Sequence, residues 1–339
     1  MERRTRIMAT SGPASGSADV LRALIDAGVD SFRVNVAAAA PADHLGRIRA
    51  IREAEQAAGR RVEILVDLGG RKVRLVGVPP EGLTLTTGTE LLLGAEAPCT
   101  PGRLAVDAPE LLAAARPGAT ILLADGAVAL TVLPGRLHAT VTRGGTLRPR
   151  AGVAIPGADL DLPALSEDDL AALDALDLAL VDEVALSYVG SAADVESLRA
   201  ALRARGAACR VVAKIERAQA LRDLPAICAA ADAVLVARGD LGVELGPWAV
   251  PAAQKDITAA AREAGRPVIL ATHILESMVR GSHPTRAEVN DIANAVWEGV
   301  TTLCVTAETA IGHAPVDVVR ALDAAIRGAE ARATPEGRP

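Results

Sequence analysis

The sequence predicts an α/β protein, a TIM-type (β/α)8 barrel with a small β domain inserted after its third strand. Eight short β-branched runs alternate with Ala- and Leu-rich amphipathic stretches, the order expected of a parallel α/β architecture. Between the third and fourth runs the texture changes: residues 75–151 are rich in Gly, Pro and Thr and carry short alternating segments. Alternation alone leaves an open doubly wound sheet as a second solution.

In chain order the strand-like runs are Arg6 to Thr10, Ser31 to Val36, Val62 to Asp67, Glu183 to Ser187, Arg210 to Ile215, Ala233 to Ala237, Pro267 to Ala271 and Thr302 to Val305. Helical periodicity covers Ala18 to Ala27, Asp43 to Ala58, Ala192 to Arg205, Val250 to Ala264, Arg286 to Glu298 and Pro315 to Ala329. Within the insertion, Thr120 to Leu123, Ala127 to Val132 and Leu137 to Thr142 alternate with period two. The expected division is therefore residues 1–74 and 152–330 for the barrel, 75–151 for a β lid, and 331–339 for a polar tail. Insertions at the active-site face of a barrel commonly act as lids.

Composition removes several classes of function. A net charge of -6, with no basic stripe interleaved with aromatics, sets nucleic acid aside. Cys99, Cys209, Cys228 and Cys304 lie far apart without paired metal-ligand spacing, which reads as reduced core thiols. No apolar run suits a signal peptide or a membrane span, so a soluble cytoplasmic protein is expected. Aromatics are scarce: Phe32, Tyr188, Trp248 and Trp297 are the whole set. Core volume must then come from Leu, Val and Ile.

The chemistry concentrates where apolar runs stop. Lys214 and Glu216 are two residues apart in an extended run and project to one face. Asp240 closes the next run. Two hard oxygen ligands beside a cation suit Mg²⁺, which takes one or two protein carboxylates and leaves its other positions to water or phosphate. A single Lys at a strand end is commonly a solvated rim residue, but Glu216, Asp240 and Thr272 at neighbouring ends weaken that reading.

In order along the chain, Thr10-Ser11-Gly12-Pro13-Ala14-Ser15, Arg33-Val34-Asn35, Ala213-Lys214-Ile215-Glu216, the run 236–244, Ala271-Thr272-His273, Pro284-Thr285-Arg286-Ala287-Glu288 and Glu308-Thr309-Ala310 resemble the pyruvate kinase family. Gly152 to Gly157, followed by Asp161 to Glu167, resembles that family's return from its lid into the barrel. The resemblance implies phosphoenolpyruvate/pyruvate and ADP/ATP as partners and Mg²⁺ or Mn²⁺ as cofactor. By the same resemblance, Lys214 stabilises the transferring phosphoryl group, Glu216 and Asp240 hold the metal, and Thr272 stands near the enol carbon that is protonated. Gly239 and Asp240 would offer backbone N–H groups to the substrate carboxylate ahead of a helical turn. Arg33, Asn35, Arg74 and Arg150 match nucleotide- or phosphate-side positions, and Asp125-Gly126 an acidic lid turn. A barrel-to-barrel homodimer is compatible with the pattern. Arg238 is expected to be structural at least as much as catalytic. Thr285 and Glu288 have capping-box spacing. Glu308 either lines the pocket or caps the following helix, and His273 is the one His placed to line it.

The family pattern is broken on one side. Ala37, Ala38 and Ala39 stand where the family carries Ser, His and Gly, and Gly69-Gly70-Arg71-Lys72 replaces Lys-Gly-Pro-Glu. In the monovalent-cation region Asn35 and Asp67 are kept, while Lys72 stands where potassium-dependent members have Glu. An ammonium there can supply the charge of bound K⁺, so K⁺ is expected not to be required. The sequence ends after the eighth barrel helix, and activation by fructose bisphosphate, which the family's C-terminal domain carries, is not expected.

The leading reading is a pyruvate kinase-like phosphotransferase. A second keeps the enolate chemistry in a Mg²⁺-dependent lyase or decarboxylase, or moves phosphoryl to a different acceptor. A third is a non-catalytic metabolite-binding protein.

Overall fold

The computed structural model describes residues 3–37, 41–95, 98–135, 137–158 and 162–332. Ala38, Ala39, Asp161 and residues 333–339 of the tail lie outside the described residues.

Strands β1 (Arg6–Thr10), β2 (Ser31–Asn35), β3 (Glu63–Asp67), β4 (Glu183–Leu186), β5 (Arg210–Ile215), β6 (Ala233–Ala237), β7 (Val268–Ala271) and β8 (Thr302–Val305) close into a barrel. Each strand pairs in parallel with its successor, and β8 pairs with β1. That ring rules out the open sheet. The strand β7 starts one residue after the predicted Pro267. Proline has no N–H to give, and Pro267 contributes only its carbonyl, which accepts from Val234 N at 3.0 Å.

Side-chain parity explains the core. Ile7, Phe32, Val34, Ile64, Val66, Val211, Ala213, Val234, Val236, Leu270 and Leu303 point outward and pack beneath the helices. Their alternates Met8, Leu65, Ala185, Val212, Leu235, Ile269 and Cys304 fill the barrel interior. Below that layer, Glu63 and Glu183 meet Arg210 at 2.6 and 2.9 Å. Continuing the same parity towards the C-terminal ends puts Thr10, Arg33, Asp67, Ser187 and Lys214 in the mouth of the barrel.

The ring is locked where its first and last strands meet. The Thr10 hydroxyl donates to Val305 O at 2.9 Å, and the Thr309 hydroxyl donates to Thr10 O at 3.0 Å. Gly12 passes so close that a Cβ would come within 2.5 Å of Ala310 O. Thr10-Ser11-Gly12 and Glu308-Thr309-Ala310 are therefore one closure.

Residues between β3 and β4 build a second core that runs from Val73 to Ile155. Its larger sheet has six strands, in the order Val153–Ala154, Thr120–Leu123, Val128–Val132, His138–Arg143, Glu90–Gly94 and Arg103–Ala105. Leu83–Leu85 pairs separately with Gly145–Leu147. The hairpin turn after Leu123 places Ala124, Asp125 and Gly126 at positive φ, a conformation that Asp tolerates better than most residues.

Helix Arg286–Glu298 starts with the capping box read from the sequence: Glu288 N donates to Thr285 Oγ1, and Thr285 N donates to Glu288 Oε2. The four cysteines are free and buried. No described helix is long and apolar enough to cross a membrane.

Phe32 is fully buried between β2 and the helices around it. Phe32→Ala is expected to cost about 3–5 kcal/mol, checked as a lower urea midpoint with retained circular dichroism at low denaturant.

Candidate active site

The barrel mouth holds a buried charge cluster. Lys214 Nζ lies 3.1 Å from Asp67 Oδ1 and 3.0 Å from Glu216 Oε1, and donates to Ser187 Oγ at 2.6 Å. Asp67 also receives Arg33 Nε on its other oxygen at 2.7 Å, while Arg33 Nη1 donates to Thr10 Oγ1 at 3.2 Å. Burial works to lower the pKa of Lys214, yet Asp67 and Glu216 outweigh it and the ammonium is held above its usual range. For Asp67 burial works to raise the pKa, but Lys214 and Arg33 win and lower it. Glu216 goes the other way: burial raises its pKa, Lys214 offsets only part, and Asp240 adds to the rise.

Asp240 sits in the first turn of helix Arg238–Leu245, directly after β6. The helix starts at Arg238, so Gly239 and Asp240 lie inside its first turn rather than ahead of it as the sequence suggested. Gly239 N–H is already engaged by Thr272 Oγ1 at 2.8 Å, whose own hydroxyl donates to Ala271 O. Thr272 and His273 hold φ of 71° and 54°. Arg238 braces that strained corner: it donates to Thr272 O and His273 O and pairs with Asp291 at 2.6 Å. This is a structural task. Glu308 is likewise a brace, accepting from Leu275 N and Thr306 N.

Lys72 does not reach Asp67 or Asn35. Its ammonium lies 2.9 Å from Asp240 Oδ1 and 3.0 Å from Asp125 Oδ1 in the hairpin turn of the second sheet. Burial works against its charge, but Asp240 and Asp125 raise its pKa. For Asp240, burial is overcome by Lys72 and Lys214 and the pKa falls. Asn35 Oδ1 accepts from Ala37 N at 3.1 Å. The approach of Lys72 depends on Gly70, which has φ 62° and would place a Cβ within 2.5 Å of Ser187 O.

Two residues were not picked out from the sequence. Ser187 anchors Lys214 and donates to Leu68 O at 2.7 Å; its interior parity at the end of β4 was the available signal. Tyr188 donates its backbone N–H to Glu216 Oε2 and its hydroxyl to Asp240 Oδ1, each at 2.7 Å. The one tyrosine of an aromatic-poor chain, standing at a strand end, could have been noticed.

The two carboxylates fit a divalent cation. Glu216 Oε1 is buried and has the Lys214 ammonium 3.0 Å away as an ion-pair partner but accepts no hydrogen bond. Both bonds to Asp240 fall on Oδ1. Among the described residues no three His, Cys, Asp or Glu side chains converge on a metal position. A cation here would have two protein carboxylates and take its other ligands from water and phosphate, as Mg²⁺ does.

A cleft of about 450 Å³ opens on the other side of Lys72, lined in part by Ala37, Gly69, Gly70, Arg74 and Arg150. Arg74 Nη1 donates to Arg150 O at 3.0 Å, and Arg150 lies 3.8 Å from Asp168 on the exposed rim. Lys72 thus stands between this cleft and the Glu216–Asp240 pair. Arg33 belongs to the barrel mouth and not to the cleft.

Residues 2–319 match the family described as pyruvate kinase, barrel domain. The chain is 42% identical over 335 residues to a pyruvate kinase of Corynebacterium efficiens, covering 97% of this chain and 70% of that protein. It is 42% identical over 334 residues to one from Agrobacterium vitis, 97% against 68%. With the pyruvate kinase of Geobacillus stearothermophilus it shares 38% over 329 residues, 95% against 56%.

The opposed pKa directions separate two carboxylates that look alike in sequence. Asp67, held low, contributes stability above the unfolded Asp value of about 3.9 that is lost as pH falls through its lower folded value. Asp67→Asn is expected to cost about 3–5 kcal/mol at neutral pH, because it strands Arg33 and Lys214. Glu216, whose pKa burial raises, offsets only part of its own desolvation through Lys214, so Glu216→Gln is expected to destabilise less than Asp67→Asn at neutral pH. Denaturant and thermal melts of the two variants check that order.

Proposed function

The chain belongs to the pyruvate kinase family, and from that premise we propose that it moves the phosphoryl group of phosphoenolpyruvate to ADP, giving pyruvate and ATP. The enol phosphate P–O bond breaks, a terminal phosphate oxygen of ADP forms the new one, and the enolate carbon takes a proton. The observation that carries the reading is the buried Lys214 ammonium, held between Asp67 and Glu216 in the barrel mouth with Asp240 on the neighbouring strand end.

Phosphoryl transfer asks for positioning and charge neutralisation more than covalent chemistry. Lys214, fixed as a cation by its anions, offsets charge on the transferring group without serving as a base. Arg33 faces the same mouth and adds a second fixed positive charge. A Mg²⁺ or Mn²⁺ held by Glu216 and Asp240 would neutralise the remaining phosphate charge. Thr272, at the end of β7, would stand at the carbon that is protonated. Gly239 N–H now serves the Thr272 hydroxyl and would pass to the substrate carboxylate only if that bond opens. Residues 75–151 would act as the lid, with Arg74 and Arg150 on the nucleotide cleft, and exclude water on closure.

Lys72 supports independence from K⁺. Its ammonium already occupies the ground between Asp240 and Asp125 and supplies a fixed positive charge beside the proposed metal pair.

A coupled assay with phosphoenolpyruvate, Mg²⁺ and a panel of nucleoside diphosphates tests the reaction. Lys214→Met is expected to lower kcat by about 10²–10³-fold in protein that still melts cooperatively. No turnover with any nucleoside diphosphate, together with proton exchange at pyruvate C3, would replace this reading by an enolate enzyme with another acceptor. Turnover should be the same in K⁺ and in a K⁺-free buffer of matched ionic strength; strong stimulation by K⁺ overturns the role given to Lys72.

A further inference from the structure

Glu216 and Asp240 follow different strands, β5 and β6, so no local backbone geometry fixes one carboxylate against the other. Tyr188, from the end of a third strand, β4, touches both. Its backbone N–H holds Glu216 Oε2 and its hydroxyl holds Asp240 Oδ1, each at 2.7 Å. The residue is in the left-handed region at φ 57°, a strained conformation for a bulky side chain that persists only where the surroundings over-determine it. That conformation lets one residue aim both donors at two carboxylates. Its ring is a rigid spacer with few rotamers, unlike the four-carbon stem of Lys72. Lys72 shares Asp240 Oδ1 but is also drawn to Asp125, so it does not define the position of Asp240 alone.

We propose that Tyr188 is a positioning residue for the metal site: its hydroxyl holds Asp240 and its backbone N–H holds Glu216, so that one residue sets the two carboxylates against each other. The proposal rests on the reading that these two carboxylates bind the divalent cation. Outer-shell partners of metal ligands commonly change affinity by about 10–100-fold. Tyr188→Phe keeps the ring and the backbone bond to Glu216 and removes only the bond to Asp240.

The test is Mn²⁺ binding to the purified full chain, without substrate, read by water-proton relaxation, with thermal melts to verify folding. Tyr188→Phe is expected to bind Mn²⁺ about 10-fold more weakly, and its kcat should return towards the parent value at saturating Mn²⁺. The double variant Glu216→Gln, Asp240→Asn should lose the site. Unchanged or tighter binding by Tyr188→Phe, with the double variant silent, overturns the positioning role and leaves the metal reading standing. Parent-like binding by the double variant overturns both.

Discussion

A lysine ammonium and an arginine guanidinium cannot be buried at the mouth of a barrel unless anions are buried with them. Here the anion is Asp67, which meets Arg33 through one oxygen and Lys214 through the other. Around that shared carboxylate the rest of the mouth is arranged. Lys214 is held as a permanent cation, Ser187 saturates one of its donors, and Glu216 is pulled in beside it despite the cost of burying its charge. Of the three elements involved, β2 and β3 pair directly and β5 lies one strand beyond, across β4, so the inward faces of neighbouring strand ends supply all three charges.

The motifs divide into two kinds once they are seen in space. Some close and brace the scaffold: Thr10 with Thr309, Gly12 against Ala310, Glu308 across to the loop after β7, Arg238 beneath Thr272 and His273. Others carry charge into the mouth: Lys214, Asp67, Arg33, Glu216 and Asp240. The first kind makes the second affordable, because strained corners such as those at Tyr188 and Thr272 persist only when neighbouring bonds over-determine them. Lys72 joins the two cores of the molecule with a single ammonium, through Asp240 on one side and Asp125 on the other.

Much of this was legible in one dimension. Short β-branched apolar runs located the barrel strands to within a residue, because parallel strands buried on both faces read as near-continuous apolar segments. Strand parity put Lys214 and Glu216 on one face, and capping-box spacing identified the start of helix Arg286–Glu298. Less legible was which charge meets which. Lys72, five residues after Asp67 in sequence, pairs instead with Asp240 and Asp125, and Gly239 N–H spends its bond on Thr272.

The sequence by itself determined the order of the β/α units, the inserted β region, and the residue types at each strand end, since these follow from local periodicity and composition. Only the tertiary structure decided that the sheet closes, that Asp67 serves two cations, and that Tyr188 spans Glu216 and Asp240. The physical reason is range. Alternation is written into neighbouring residues, whereas a buried ion pair depends on which strand ends are brought within about 3 Å, and that is set by the closure of the whole ring.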